Sequence, residues 1–193
     1  MGKILGFKLN LYNICMIVLM AVFNILLNQA AMYLNNSHVP MPLWLDSVGI
    51  FIAAIEAGPI AGAIAGFPVY GVYILSDHHL AAFSINSMLI GISAGVLART
   101  IGLDSWKKAF LAGLTAALID IVLSSYFDLS FYKGLPGFLL GDNVFKALVN
   151  RQPLIFASLA AEAAMSVPDK IFSAILASMI CTDYYGKTRK KRI

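Results

Sequence analysis

The segment from Leu9 to Leu34 reads LNLYNICMIVLMAVFNILLNQAAMYL, which is 26 residues without a charged side chain. A helix needs about 20 apolar residues to cross the hydrocarbon layer of a bilayer. Such a helix satisfies its own backbone hydrogen bonds, which an open strand in lipid cannot do. The segment therefore predicts a transmembrane helix. Lys3 and Lys8 precede it, but the apolar run is too long for a cleaved signal peptide.

The remainder of the chain has the same apolar character. Of its 193 residues, 60% are hydrophobic and 12% are charged, and the mean hydropathy is +0.80. The apolar residues form long blocks, which predicts an all-α integral membrane protein with one transmembrane domain, a compact bundle of six helices. The predicted spans are 9–34, 43–56, 59–76, 80–100, 109–127 and 153–182, with an outer loop over 128–152.

Three local features qualify this plan. The second predicted span is short for a membrane crossing, and Gly58-Pro59 separates it from the third. Pro168 interrupts the sixth span and is expected to bend it. Small residues recur every four positions, which predicts close helix packing: Gly58, Gly62 and Gly66; Ser87, Gly91 and Gly95; Ala109, Gly113 and Ala117; Ala157 and Ala161.

The distribution of basic residues predicts the orientation. With the N-terminus inside, the inner segments contain Lys3, Lys8, Arg99, Lys107, Lys108 and the basic tail at 187–192, whereas the outer segments contain only Lys133, Lys146 and Arg151. The positive-inside rule then places both termini in the cytoplasm. These basic residues lie at helix ends rather than along an aromatic-interleaved face, so lipid is the expected partner and nucleic acid is not.

Ionisable residues inside the membrane are costly and usually functional. Asp46, Asp120 and Glu162 fall on three different spans, all in the predicted outer half. We expect them to form a ligand-binding site with other polar and aromatic residues near the outer face: Asn28, Trp44, Asn86, Tyr126, Asn143 and Arg151. The alternatives are that each asparagine pairs with a neighbouring helix and that the two aromatic residues belong to the interfacial belt.

Asp169 and Lys170 are adjacent, deeper on the last span. We expect this pair to serve structure or coupling to a partner protein rather than substrate contact. His78-His79 is expected to be an exposed turn, since no third metal ligand accompanies it. The chain lacks a nucleophile elbow, an HExxH motif and a Walker loop, so we expect a solute-handling protein without enzyme activity, metal or cofactor.

Two local motifs resemble a known family. They are Leu45-Asp46-Ser47-Val48-Gly49 leading to Gly58-Pro59, and Pro168-Asp169-Lys170-Ile171 on the last span. With the chain length, span number and orientation, they resemble the S components of energy-coupling factor (ECF) transporters, which capture vitamins in bacteria and archaea. The Ala-x-x-x-Ala pattern of that family's first helix is not intact here, because Ile25 lies four places after Ala21.

The resemblance implies an outward-facing pocket formed by the loop after span one and by spans four to six. It also implies a prokaryotic plasma membrane, a membrane T component and two cytoplasmic ATPases as partners, because the chain has no nucleotide site of its own. The acids and amides of the predicted site favour a neutral or cationic heterocyclic micronutrient. The alternatives are a stand-alone carrier or channel that uses Asp120 and Glu162 as ion sites, and a membrane sensor with a separate output partner.

Overall fold

The computed structural model describes residues 10–37, 43–75 and 77–190, with side chains up to Thr182. Lys3 and Lys8, on which the predicted orientation depends in part, lie outside the described residues. All regular structure in the described ranges is helical. The helices are α1 (Leu11–Asn36), α2 (Val48–Ala57), α3 (Pro59–Gly71), α4 (His78–Ala81), α5 (Ser84–Thr100), α6 (Trp106–Phe131), α7 (Leu139–Leu148) and α8 (Leu154–Lys190).

Four segments are long and apolar enough to cross a membrane: Leu11–Asn36, His78–Thr100, Trp106–Phe131 and Leu154–Thr182. Large apolar side chains are exposed along these helices, for example Leu19 and Leu26 on α1 and Leu118 and Val122 on α6. An exposed apolar face of this kind suits lipid contact. Over the residues that the structure describes, the protein is therefore all-helical with four candidate membrane spans, as expected of a membrane protein.

The second and third predicted spans are shorter than the sequence indicates. α2 has 10 residues and α3 has 13, so they measure about 15 and 20 Å, less than the hydrocarbon thickness of about 30 Å. The segment at 43–47, predicted to be helical, lies outside α2. The reason is tertiary: Leu45 donates its backbone N–H to Asp169, and the Asp46 carboxylate accepts a hydrogen bond from Lys170.

α2 lies in the centre of the bundle. Its residues Val48, Ile50, Phe51 and Ala53 are fully buried, and the helix contacts α1, α3, α5 and α8. A helix that is apolar on all sides belongs in a protein interior. Protein therefore surrounds this short apolar segment.

The predicted small-residue ridges form close helix contacts. A Cβ atom at Gly62 of α3 would collide with the backbone of Gly91 on α5, and one at Gly66 would collide with the backbone of Ser87. On the other side of the bundle, Gly113 of α6 lies against the backbone of α8 at Ile171. These contacts confirm that α3 packs on α5, and α6 on α8, at backbone distance.

A further difference concerns the outer loop and the last helix. α6 continues to Phe131, and the predicted outer loop at 128–152 contains a helix, α7. α8 runs without a break through Pro168. Helices in membranes tolerate proline because neighbouring helices and side chains satisfy the freed backbone groups.

Candidate ligand-binding site

A cavity of about 200 Å³ lies inside the helix bundle. A cavity of about 10–15 Å³ is enough to hold one water molecule. The space therefore admits an organic molecule of roughly a dozen atoms. Its walls come from α1, α3, α5, α6, α8, the segment before α2 and the loop before α7. The lining residues are Met32, Trp44, Asp46, Tyr70, Asp77, Leu80, Phe83, Asn86, Ser87, Asp120, Ser124, Asp128, Tyr132, Leu135, Pro136, Gly137, Phe138 and Glu162.

Lys170 lies at the centre of a buried charge cluster beside this cavity. Its Nζ atom is 2.7 Å from Asp46 Oδ1, 2.8 Å from Asp169 Oδ2 and 3.4 Å from Asp120 Oδ2. The Lys170 residue is only 1% exposed, and it is the only buried basic residue among those described. One ammonium group thus connects α8 with α6 and with the segment before α2.

Further hydrogen bonds hold these carboxylates in place. Asp46 accepts from the Ser47 hydroxyl at 2.7 Å and from the Tyr70 hydroxyl at 2.9 Å. Asp169 accepts from the backbone N–H of Leu45 at 2.8 Å. Asp46 and Asp169 therefore have their charge and much of their hydrogen-bonding capacity satisfied within the protein.

Asp120 connects the charge cluster to the rest of the cavity wall. Its Oδ1 accepts from the Asn86 amide at 3.0 Å, and its Oδ2 accepts from the Ser166 hydroxyl at 2.8 Å. The Ser166 oxygen also lies 3.3 Å from Glu162 Oε2, and Glu162 and Asp128 both line the cavity. The polar network therefore runs from Lys170 to Glu162 without leaving the bundle, and Asp128 lies beyond it on the cavity wall.

Two acceptor atoms of cavity-lining residues have no partner. They are Asp128 Oδ2 and Asn86 Oδ1, and both residues are only 2% exposed. The orientation of the Asn86 amide follows from its NH₂ group, which donates to Asp120, because a carboxylate can only accept. Buried polar atoms in native proteins are nearly always paired, so these oxygens indicate room for a hydrogen-bond donor.

The remaining wall is apolar and aromatic. The rings of Trp44 and Phe138 have centroids 3.9 Å apart, tilted by 42°, and Phe83 lies 5.9 Å from Tyr70. Met32 and Leu80 complete this side. A pocket that is largely apolar with a few placed polar groups is typical of small-molecule sites.

The loop at 132–138 covers one end of the cavity. Asn35 of α1 holds it, since its amide nitrogen donates to the Gly137 carbonyl at 3.4 Å and its oxygen accepts from Leu139 N–H at 2.8 Å. The Tyr132 hydroxyl donates to Asp77 Oδ2 at 3.0 Å. Partial burial and this bond raise the pKa of Tyr132, while hydrogen bonds from Leu80 N–H and Tyr132 lower the pKa of Asp77.

The cavity brings together five of the nine residues predicted to bind ligand: Trp44, Asp46, Asn86, Asp120 and Glu162. Asn28 is buried but lies outside the lining, where its amide donates to the Trp44 carbonyl at 3.4 Å. Asn28 thus holds the segment before α2 from outside the cavity, and the partner of its amide is in that segment rather than on a neighbouring helix.

The other three predicted binding residues lie away from the cavity. Tyr126 is 63% exposed, because six residues along α6 turn it by about 120° from Asp120. This position fits the aromatic-belt alternative. Asn143 and Arg151 are exposed, on α7 and just before α8. Both residues belong to the predicted outer loop, but neither lines the cavity.

Asp169 and Lys170 lie beside the candidate site. The sequence indicated a pair that serves structure or coupling, and in the structure Lys170 forms ion pairs with Asp46 and Asp120 as well as with Asp169. Asp169 is 0% exposed, so a partner protein cannot touch the pair in this conformation. Adjacent helical residues point about 100° apart, and this geometry lets the two side chains reach different neighbours.

Several cavity residues did not stand out in the sequence, among them Tyr70, Asp77, Asp128 and Tyr132. A signal existed for Asp128, because Asp120, Ser124 and Asp128 follow at four-residue spacing and so share one face of α6. No comparable pattern marks Asp77 or Tyr132. These two side chains meet because of the paths that the chain takes just before α4 and just after α6.

The cavity combines carboxyl and amide groups with an aromatic wall. In the described part of the chain, no group of three or more His, Cys, Asp or Glu side chains has a metal-binding arrangement. Comparisons with protein-family models, curated proteins and solved structures found no match to this chain. The geometry of the site is therefore the basis for inferring function.

Proposed function

We propose that this protein is a substrate-capture subunit of a prokaryotic importer, similar to the S component of an ECF transporter. In this role it binds a vitamin or related micronutrient in the cavity around Trp44 and Glu162. It delivers the substrate with a membrane T component and two cytoplasmic ATPases, and it hydrolyses no nucleotide itself.

One observation carries the proposal. Carboxyl groups from α6, α8 and the segment before α2 meet at a cavity inside a bundle of apolar helices. Burial of charged groups away from water is expensive and is retained where a site needs them. The apolar wall of Trp44 and Phe138 beside these groups matches a heterocyclic ligand with polar substituents.

The topology that we propose has both termini in the cytoplasm. Four long spans return the chain to the side on which it started. The short helices α2 and α3 either cross as a pair or re-enter, and both arrangements leave the two ends of the chain on the same side. The first turn of α6 contains Lys107 and Lys108, which favours a cytoplasmic position for the connection before it by the positive-inside rule. α6 is about 39 Å long, so the loop after it, which covers the cavity, then faces outward.

Reconstitution in liposomes tests this function. The protein alone should bind a vitamin in stoichiometric amounts without concentrating it. Uptake should require added T component and ATPases together with ATP inside the liposomes. Sustained uptake by the protein alone would contradict the proposal, and so would a failure of all ECF modules to form a complex with it.

A second candidate is a stand-alone secondary carrier. The observation that favours it is the buried Lys170 with three carboxylates within 3.4 Å, since such clusters also form ion and proton relays. This alternative predicts ATP-independent uptake driven by an ion gradient. A membrane sensor with a separate output partner instead predicts binding with no transport in either preparation.

A further inference from the structure

The charges around the cavity do not balance. Five carboxyl groups line the cavity or join its network, those of Asp46, Asp120, Asp128, Glu162 and Asp169, whereas Lys170 is the only buried basic residue in the part of the chain that the structure describes. Carboxylates that share a buried site repel each other unless protons or cations compensate them. The five carboxyl groups can therefore be compensated only with protons or cations in addition to Lys170.

The deficit is concentrated at one end. Lys170 directly contacts Asp46, Asp169 and Asp120. Glu162 lies eight residues before Lys170 on α8, a distance of about 12 Å along the helix axis. Asp128 lies eight residues beyond Asp120 on α6, and it lines the same cavity as Glu162. The Asp128–Glu162 pair therefore has no ammonium group beside it among the described residues.

The unsatisfied hydrogen-bonding atoms point to the same chemistry. Asp128 Oδ2 and Asn86 Oδ1 are the two unpartnered buried side-chain atoms of cavity-lining residues, and both are acceptors. A ligand that offers N–H donors would satisfy them, whereas a carboxylate ligand would add a further acceptor. Repulsion from Lys170 would also keep a second positive charge at the far end of the cavity.

We infer that the cavity takes a small organic cation, with its protonated nitrogen at Asp128 and Glu162 and its apolar body against Trp44 and Phe138. This inference rests on the proposed capture function and narrows its substrate from neutral or cationic compounds to cationic ones. It assigns Asp128 as a specificity-determining residue, while Lys170 neutralises the other carboxylates and does not contact the ligand.

A charge series on the purified protein tests this assignment. Benzylammonium, benzyl alcohol and benzoate share one ring and differ in charge. The unfolding temperature of the wild-type protein should rise with benzylammonium only. Asp128→Asn should weaken benzylammonium binding at least about tenfold, because it removes a charge-assisted hydrogen bond. The matched control is Asp104→Asn, which changes an exposed carboxylate outside the cavity and should leave binding unchanged.

The outcomes separate this inference from the proposed function. Equal stabilisation by benzyl alcohol or benzoate would overturn the cation assignment, yet capture of small molecules would stand if Trp44→Ala abolished that binding. Stabilisation by none of the three probes would also count against the inference, and liposome uptake would then decide the function separately. If Asp128→Asn does not fold, Glu162→Gln and the wild-type charge series still decide the matter.

Discussion

Lys170 is the residue on which the buried charges depend. Its ammonium group contacts three carboxylates from two further parts of the chain and from its own helix. Removing one partner of a buried charge group is strongly destabilising, because the others remain buried without compensation. One carboxylate, that of the adjacent Asp169, would be enough to neutralise Lys170. The further contacts with Asp46 and Asp120 therefore add carboxylates that depend on the same ammonium group.

We predict that Lys170→Met destabilises the protein by about 3–5 kcal/mol, since it leaves the carboxylates of Asp46, Asp120 and Asp169 without their cation. Thermal unfolding in detergent measures the loss. Lys108→Met is the matched control, because its ion pair with Asp104 is exposed and should contribute little. Equal unfolding temperatures for the two variants would show that the Lys170 cluster adds nothing to stability.

At the scale of the helices, close approach of α3 to α5 fixes one side of the cavity. Gly62 and Gly91 face each other with no room for a side chain. Tyr70 on α3 and Asn86 on α5 both depend on this distance, since each donates to a carboxylate across the cavity. The small-residue spacing is thus what positions these two polar side chains.

Gly62→Ala should destabilise the protein by about 1–3 kcal/mol, because the added methyl group must push the α5 backbone away. Gly71→Ala on the same helix is the control, since a Cβ there meets only the movable ring of Phe67. Thermal unfolding of both variants tests the prediction. A Gly62 variant as stable as the Gly71 variant would be inconsistent with backbone contact between α3 and α5.

The loop at 132–138 depends on Asn35 for its position. Asn35→Ala removes both side-chain hydrogen bonds that join α1 to this loop. We expect faster hydrogen exchange at 132–139 and little change in α6 or α8. Ser37→Ala is the control, because the Ser37 hydroxyl bonds only within α1, to the Tyr33 carbonyl. Unchanged exchange in the Asn35 variant would mean that packing of Phe138 alone holds the loop.

The long helices were predictable because uninterrupted apolar blocks encode them. The bounds of α1, α6 and α8 agree with the predicted spans at most of their ends, apart from the extension of α6 to Phe131 and of α8 to Lys190. The short helices were not predictable in the same way. The start of α2 depends on two hydrogen bonds, one that Leu45 donates to Asp169 and one that Asp46 accepts from Lys170, both more than 120 positions away. Such tertiary bonds leave no local pattern.

The candidate site was also predictable in part. The cost of intramembrane charge singles out Asp46, Asp120 and Glu162 from the sequence alone. Depth in the membrane does not tell which face of a helix a residue occupies, and Tyr126 was therefore included although it faces outward. Helical phase would have replaced it with Asp128, on the same face as Asp120.

At the scale of the whole molecule, the proposed orientation has a direct consequence. α6 is long enough to cross the bilayer, so its two ends should be accessible from opposite sides. In a variant without Cys15 and Cys181, Ser105→Cys should react with an impermeant thiol reagent only from the cytoplasmic side. Asn143→Cys should react only from the outside. Labelling of both cysteines from one side would refute the orientation.

The central claim is that the buried carboxylates surround a space that holds one small polar molecule. Native mass spectrometry of the protein released from its own membranes tests this most directly, with a Trp44→Ala and Asp128→Asn double variant as the comparison. We predict that the wild-type protein retains one bound organic molecule, which the variant lacks. A folded wild-type protein with the bare mass of its chain, indistinguishable from the variant in its ligand content, would contradict the claim.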